Sequence, residues 1–299
     1  MNERKALLIL HGKQALNETV RAAVEGKRAE GWDLAVRLTW EAGDAQRLVA
    51  EALALGYRQL IAGGGDGTLR DIAEALANAD AHASLVLLPL GTANDFARSA
   101  GVPLEPVQAL ALLEVPARAI DLGSVGEQMF LNMATGGFGS QVTANTSEDL
   151  KKLLGGAAYL FTGLSRFSEL HVAYGELQGP DFHWQGDLLA LGIGNGRQAG
   201  GGHPLCPEAL VDDGLLDISI LPAPQEMVGT LRELMSGGWG LDNLFVRARL
   251  PWVEIKVADG LYLNLDGEPL HIDSLRFEVR PAALRLHLPE DSPLLSRQG

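Results

Sequence analysis

The chain has 299 residues, 46% of them hydrophobic, and 38 acidic against 24 basic side chains give it a formal net charge of −14. That balance argues against nucleic acid as a partner, which needs clustered Lys and Arg, and against broad electrostatic adhesion to anionic membranes. One cysteine, Cys206, rules out an internal disulfide and fits a reducing compartment. No run approaches the roughly 18 apolar residues of a spanning helix, so a cytoplasmic protein with at most transient membrane contact is expected.

The first third alternates strand and helix patterns. Residues 6–10 form an apolar strand run, and the segment after Ala15 is helical. Residues 33–38 make a second strand ending at Thr39, followed by an Ala/Leu-rich helix from Asp44 to Leu55. A third strand ends at Ala62 and a fourth at Leu88, each running into a glycine turn and a helix. Such alternation predicts a parallel sheet with helices on both faces. From Arg118 the texture changes to short β-like runs near 119–122, 188–193, 215–221, 253–257, 261–265 and 275–279. These predict a β-rich, sandwich-like second domain. The boundary falls near Pro116, giving domains at 1–117 and 118–299 with a cleft between them. Helical inserts are expected at 147–168 and 224–235.

The first turn reads Ala-Gly-Gly-Gly-Asp-Gly-Thr-Leu-Arg-Asp from Ala62 to Asp71. A glycine turn between strand and helix lets backbone N–H groups approach an anion, and the helix N-terminus adds partial positive charge. Asp66 would repel phosphate unless it holds Mg²⁺ or orients a donor. The spacing is neither that of a Walker A loop nor that of a dinucleotide fingerprint. A second turn, Pro89-Leu90-Gly91-Thr92-Ala93-Asn94-Asp95, repeats the arrangement on the next unit. Thr92 and Asn94 there could cap a helix or meet a nucleotide. Two such loops lie side by side at the edge where open α/β sheets bind ligands.

Gly64-Gly65-Asp66-Gly67-Thr68 with Pro89 to Asp95 resembles the diacylglycerol kinase catalytic-domain family, and in particular its bacterial YegS-like lipid kinases. The likeness continues through residues 130–139, 194–202, 212–215 and 264–269. It implies an ATP-dependent kinase that phosphorylates a lipid hydroxyl, diacylglycerol- or phosphatidylglycerol-like. ATP would be contacted by Thr39, Gly64, Gly65, Asp66, Gly67, Thr68, Leu69, Arg70 and Thr92. Arg70-Asp71 stands where the family usually has Asn-Glu, so Arg70 either meets phosphate directly or is a surface helix residue.

Leu261, Leu263 and Leu265 alternate with polar residues into an Asp266-Gly267 hairpin signal, which could hold Glu268 at an exposed rim. On residue types alone Glu268 is an exposed turn carboxylate; the resemblance implies the proton acceptor. Residues 207–215 match the family's metal segment, which implies the Asp213 carboxylate with carbonyls of Leu210 and Leu215 around Mg²⁺ or Ca²⁺. Without the resemblance, Asp212-Asp213-Gly214 is a plain turn. Lys151-Lys152 with the run 157–164, and Trp239, Leu241, Leu244 and Phe245, are lipid-facing candidates, with core packing the better account of both sets. Two rivals stand beside the lipid kinase: a kinase of a soluble acceptor such as NAD, and a silent nucleotide- or lipid-binding regulator.

Overall fold

The computed structural model describes residues 4–79, 82–137, 173–222 and 245–297. The inserts expected at 147–168 and 224–235, the Lys151-Lys152 pair and Trp239, Leu241 and Leu244 lie outside the described residues.

The first domain is α/β. Strands β1 (Lys5–His11), β2 (Asp33–Thr39), β3 (Gln59–Gly64) and β4 (Ser84–Pro89) run parallel in the order β2-β1-β3-β4. Leu7, Leu8 and Ile9 of β1, Leu60 and Ile61 of β3, and Leu85 to Leu88 of β4 are all fully buried. Continuous apolar runs of that kind mark a sheet covered on both faces. The cover comes from α1 (Glu18–Ala29) beside α5 (Pro106–Ala111), and α2 (Asp44–Ala54) beside α3 (Asp66–Asn78). A short α4 (Asp95–Ser99) follows β4. From β1 the chain moves one way to β2 and the other way to β3, so the switch point lies between β1 and β3. Ligands of open α/β sheets bind there, outside the carboxyl ends of the strands.

The second domain is antiparallel: β5 (Arg118–Val125), β6 (Gln128–Phe130), β7 (Met133–Gly137), β8 (Ala173–Gly179), β9 (Phe182–Gly194), β10 (Gln198–Ala199), β11 (His203–Pro204), β12 (Leu216–Pro222), β13 (Val246–Leu250), β14 (Trp252–Leu265) and β15 (Glu268–Leu286). The runs expected separately at 253–257 and 261–265 are one strand, β14, with a register shift between Lys256 and Leu261. A bulge, rather than a chain reversal, absorbs the polar interruption. Likewise 275–279 is the middle of the long β15, which shifts register again between Arg280 and Leu284. At its end Leu286 pairs in parallel with Leu85 of β4, so one strand carries the sheet from one half to the other.

There are two main cores. The second gathers Phe130, Leu191, Ile193, Ile218, Leu263 and Phe277. The first includes Leu284, Leu286, Leu288 and Leu294, so the C-terminal stretch packs among the N-terminal strands. His287 fixes that return: its ring bonds to Val115 O at 2.6 Å and to Ser84 Oγ at 2.8 Å. Burial lowers its pKa.

Candidate active site

The two glycine loops pack backbone against backbone. β3 ends at Gly64 and α3 begins at Asp66, with Gly65 as an N-cap that has no side-chain cap bond. The first N–H groups of α3 therefore lack the usual side-chain acceptor. In the second loop Leu90 N–H donates to Gly64 O at 2.7 Å. Asn94, at φ 52°, closes the turn on itself, accepting from Gly91 N at 2.9 Å and donating to Gly91 O at 2.8 Å. A Cβ on Gly91 would sit 2.6 Å from Gly65 Cα, which only glycine avoids.

Beneath the loops lies a cavity of about 430 Å³ between the two domains. Asp66 and Asp95 line it from the first domain, and Asn132, Thr135, Asn264 and Asp266 from the second. Asp66 Oδ1, Asp95 Oδ1 and Asn132 Oδ1 are buried and accept no hydrogen bond. The other oxygen of Asp95 accepts from Gly201 N at 3.0 Å. Burial raises the Asp66 pKa, and the Asp95 charge adds to the rise. Asp266 accepts from three successive N–H groups, Leu131 at 2.7 Å, Asn132 at 3.0 Å and Met133 at 2.8 Å. Its burial nonetheless outweighs those donors and, with Asp66 adding to the rise, pushes its pKa up to about 6.

Buried carboxyl oxygens without donors are a fit for a hard divalent cation, which takes oxygen ligands. Among the described residues no group of three or more His, Cys, Asp or Glu is placed to hold one. Asp66 and Asp95 could thus supply two ligands, leaving others to phosphate and water, as Mg²⁺ prefers.

The residues singled out from the sequence fall in several environments. Asp66 and Gly67 line the cavity. Gly64 is buried and packs so closely on Thr68 that a Cβ would come within 2.6 Å of the Thr68 Cβ. Gly65 and Thr68 are half-buried, and Thr92 is exposed at the rim. Thr39 is half-buried at the end of β2, its carbonyl tight against Gly12. Leu69 belongs to the core and its N–H already donates to Gly65 O at 3.0 Å. Arg70 is not a surface residue: it is 7% exposed and donates to Asp71 Oδ1, from Nε at 3.1 Å. Glu268 is exposed, directly after the turn whose Asp266 and Gly267 reach the cavity.

The segment with Leu210, Asp213 and Leu215 lies apart from these lining residues. Asp213 accepts from Leu215 N at 3.0 Å, and its other oxygen pairs with the Arg249 guanidinium. A protein cation therefore already meets that carboxylate. Phe245 packs on a small cluster with Cys206, and Arg247 lies 5.1 Å over its ring.

Sequence reasoning did not single out Asp95, Asn132 or Asp266. Asp95 reads as an ordinary acidic first-turn helix residue, and Asp266 as a turn former. The turn does require its type: Asp266 and Gly267 have φ of 47° and 107°, the pattern of a type I′ hairpin.

Residues 5–125 match the model of the diacylglycerol kinase catalytic domain, and residues 134–288 that of the YegS C-terminal NAD kinase beta sandwich-like domain. A protein of Pseudomonas fluorescens (strain Pf0-1) named "Probable lipid kinase YegS-like" is 82% identical over 296 residues, covering 99% of this chain and 97% of the relative. One of the same name from Pseudomonas aeruginosa (strain PAO1) is 69% identical, covering 99% and 98%. In fold, the crystal structure of a diacylglycerol kinase from Bacillus anthracis str. Sterne superposes with a TM-score of 0.74 at 22% identity, covering 97% of this chain and 98% of that one. The chain belongs to the diacylglycerol kinase catalytic-domain family, among its YegS-like lipid kinases.

Proposed function

We propose that the protein transfers the γ-phosphate of ATP to the hydroxyl of a diacylglycerol- or phosphatidylglycerol-like lipid. The observation that carries this reading is the interdomain cavity, with its unpartnered buried carboxyl oxygens under two interlocked glycine loops. Residues 1–117 form the nucleotide-binding unit, and 118–299 complete the site and receive the lipid. Backbone N–H groups of the Gly64–Thr68 loop and the N-terminus of α3 cradle the phosphates, with Thr39, Leu69, Arg70 and Thr92 shaping the same face.

Asp66 and Asp95 would hold Mg²⁺, which neutralises phosphate charge when bound. Glu268 takes the proton of the lipid hydroxyl. The hydroxyl oxygen bonds to the γ-phosphorus as the bond to ADP breaks. The cavity walls exclude water that would otherwise accept the phosphoryl group. Trp40 and Leu16, 93% and 90% exposed, follow the carboxyl ends of β2 and β1 and supply apolar contact for transient seating on a lipid surface. Among the described residues no helix is long and apolar enough to cross a membrane. A metal at Leu210, Asp213 and Leu215, Mg²⁺ or Ca²⁺, requires Arg249 to release the carboxylate.

The test is transfer from radiolabelled ATP to a panel of micellar lipids, with NAD and a no-acceptor control. Label is expected on a lipid and is lost in Glu268→Ala while ATP binding persists; unchanged turnover in that variant would remove Glu268 as the base. The NAD kinase-like sandwich matched over 134–288 favours a second reading, a soluble acceptor, and label on NAD alone would decide for it. Nucleotide bound with no transfer to anything would support a silent regulator.

A further inference from the structure

A second cavity, of about 760 Å³, opens at the other edge of the parallel sheet. It lies at the amino ends of β1, β3 and β4, roughly 17 Å along β3 from the glycine loops at about 3.3 Å per residue. Arg4, Lys5, Arg58 and Arg285 line it, with Glu114 as the one acid among the described lining residues. In a chain of net charge −14 this is a marked local reversal of sign.

The four cations meet carbonyls instead of carboxylates. Arg4 donates to Glu30 O at 2.9 Å, Lys5 to Leu55 O at 3.2 Å, Arg58 to Tyr57 O at 3.0 Å and Arg285 to Ala117 O at 3.4 Å. Among the described residues none of the four has a carboxylate within 4.0 Å. Glu114 itself leans toward Lys27, at 3.6 Å. Glu30 and Leu55 cap the C-termini of α1 and α2, and each helix end carries about half a negative charge. With Glu114 also counted, about two positive charges remain uncompensated among the described residues.

Trp32 supplies an independent sign. It lines the same cavity at 6% exposure, and its indole N–H is buried without an acceptor. Buried donors are almost always paired, so an acceptor-rich occupant fits. Arg4, Arg58 and Arg285 are exposed at the cavity, and guanidinium groups bind phosphate oxygens bidentately.

We propose that this cavity is a second ligand site, for a phosphate monoester dianion, separate from the nucleotide loops. Such a group occurs on soluble sugar or glycerol phosphates and on a phosphatidic acid headgroup. The test uses the full chain with glycerol 3-phosphate by calorimetry, and with phosphatidic acid in phosphatidylcholine vesicles by sedimentation against phosphatidylcholine alone. The Arg58→Gln/Arg285→Gln pair should weaken binding at least about tenfold, the factor that defines one decade of affinity. Arg58→Lys/Arg285→Lys should keep most of it, and unfolding midpoints check that both pairs fold.

In wild-type protein the Trp32 indole N–H resonance, assigned by its loss in Trp32→Phe, should move when glycerol 3-phosphate or the vesicles are added. Binding of the free ester, lost in the Gln pair, supports the site with a soluble ligand; binding of vesicles alone, lost in the same pair, supports it with a headgroup. Binding of neither probe, binding equal in wild type and the Gln pair, or an unmoved Trp32 resonance overturns it.

Discussion

Gly91→Ala tests whether the two loops act as one site. The added Cβ would lie 2.6 Å from Gly65 Cα and 2.9 Å from Asn94 Oδ1, where unstrained carbon contacts need about 3.5–4.0 Å. Neither neighbour can swing away. One is backbone, and the other holds Gly91 N–H at 2.9 Å. Relief takes a separation of the loops by about 1 Å, with overpacking costs of about 1–3 kcal/mol. That cost lowers Tm by roughly 2–4 °C per kcal/mol in a chain of a few hundred residues. A displacement of about 1 Å in a positioning element costs on the order of 100-fold in rate.

We therefore expect Gly91→Ala to fold, to melt several degrees lower, and to lose on the order of 100-fold in kcat/KM for ATP. Gly65→Ala is the internal control. Its Cβ meets only Gly91 Cα, at 3.4 Å, and its φ of −85° suits any residue, so its Tm should change little. Thermal melts and ATP-to-lipid transfer on both variants check this. Wild-type transfer in Gly91→Ala, or equal destabilisation by both substitutions, would refute the coupling.

Asp266→Ala leaves the three N–H groups of Leu131, Asn132 and Met133 without their acceptor, at about 1–3 kcal/mol each. A denaturant midpoint like that of the wild type would remove its role as the pin that holds the 131–133 backbone to the turn after β14. The pH dependence has a definite sign. With a folded pKa of about 6 above an unfolded value near ~3.9, Asp266 binds its proton more tightly when folded. The stability it contributes is present at low pH and is lost as pH rises from about 4 through 6, about 1 kcal/mol of it between pH 5 and 7. Asp217, also raised to about 6 by burial, adds a loss of the same sign, so Asp266→Asn should flatten only part of the wild-type profile. An identical profile in that variant would refute the assignment. Mg²⁺ should stabilise nucleotide-free protein by about 2.7 kcal/mol at a hundredfold excess over Kd, read as a rise in Tm that chelator reverses. Asp66→Asn/Asp95→Asn should abolish that shift; a shift surviving in it would place the ion elsewhere.

What was legible in the sequence was local. The strand runs of β1, β3 and β4 are apolar throughout because both faces are covered, and both glycine loops announce themselves within seven or so residues of chain. What stayed hidden depends on partners far along the chain. Gly91 needs its missing side chain because of Gly65, and Asp266 is held by N–H groups more than 130 positions away. Asp95 likewise meets Gly201 across 106 positions. The burial of Arg70 was hidden for the opposite reason. Its partner Asp71 is the adjacent residue, and neighbours along a helix do not ordinarily face each other.

Two of the missed groups share with Asp66, which the sequence did single out, a property that explains their obscurity. Asp66, Asp95 and Asp266 bring three carboxyl groups to one cavity, and burial raises the pKa of the first and the last. Asp66 and Asp95 each keep a buried oxygen with no donor, an arrangement that opposes folding. Nothing in the local pattern of the chain rewards it, so no periodicity reveals it. A cation coordinated by those oxygens, as proposed above, would remove both the repulsion and the unmet desolvation. The unfavourable terms the fold carries without a ligand would then be the source of the affinity that the Mg²⁺ titration measures.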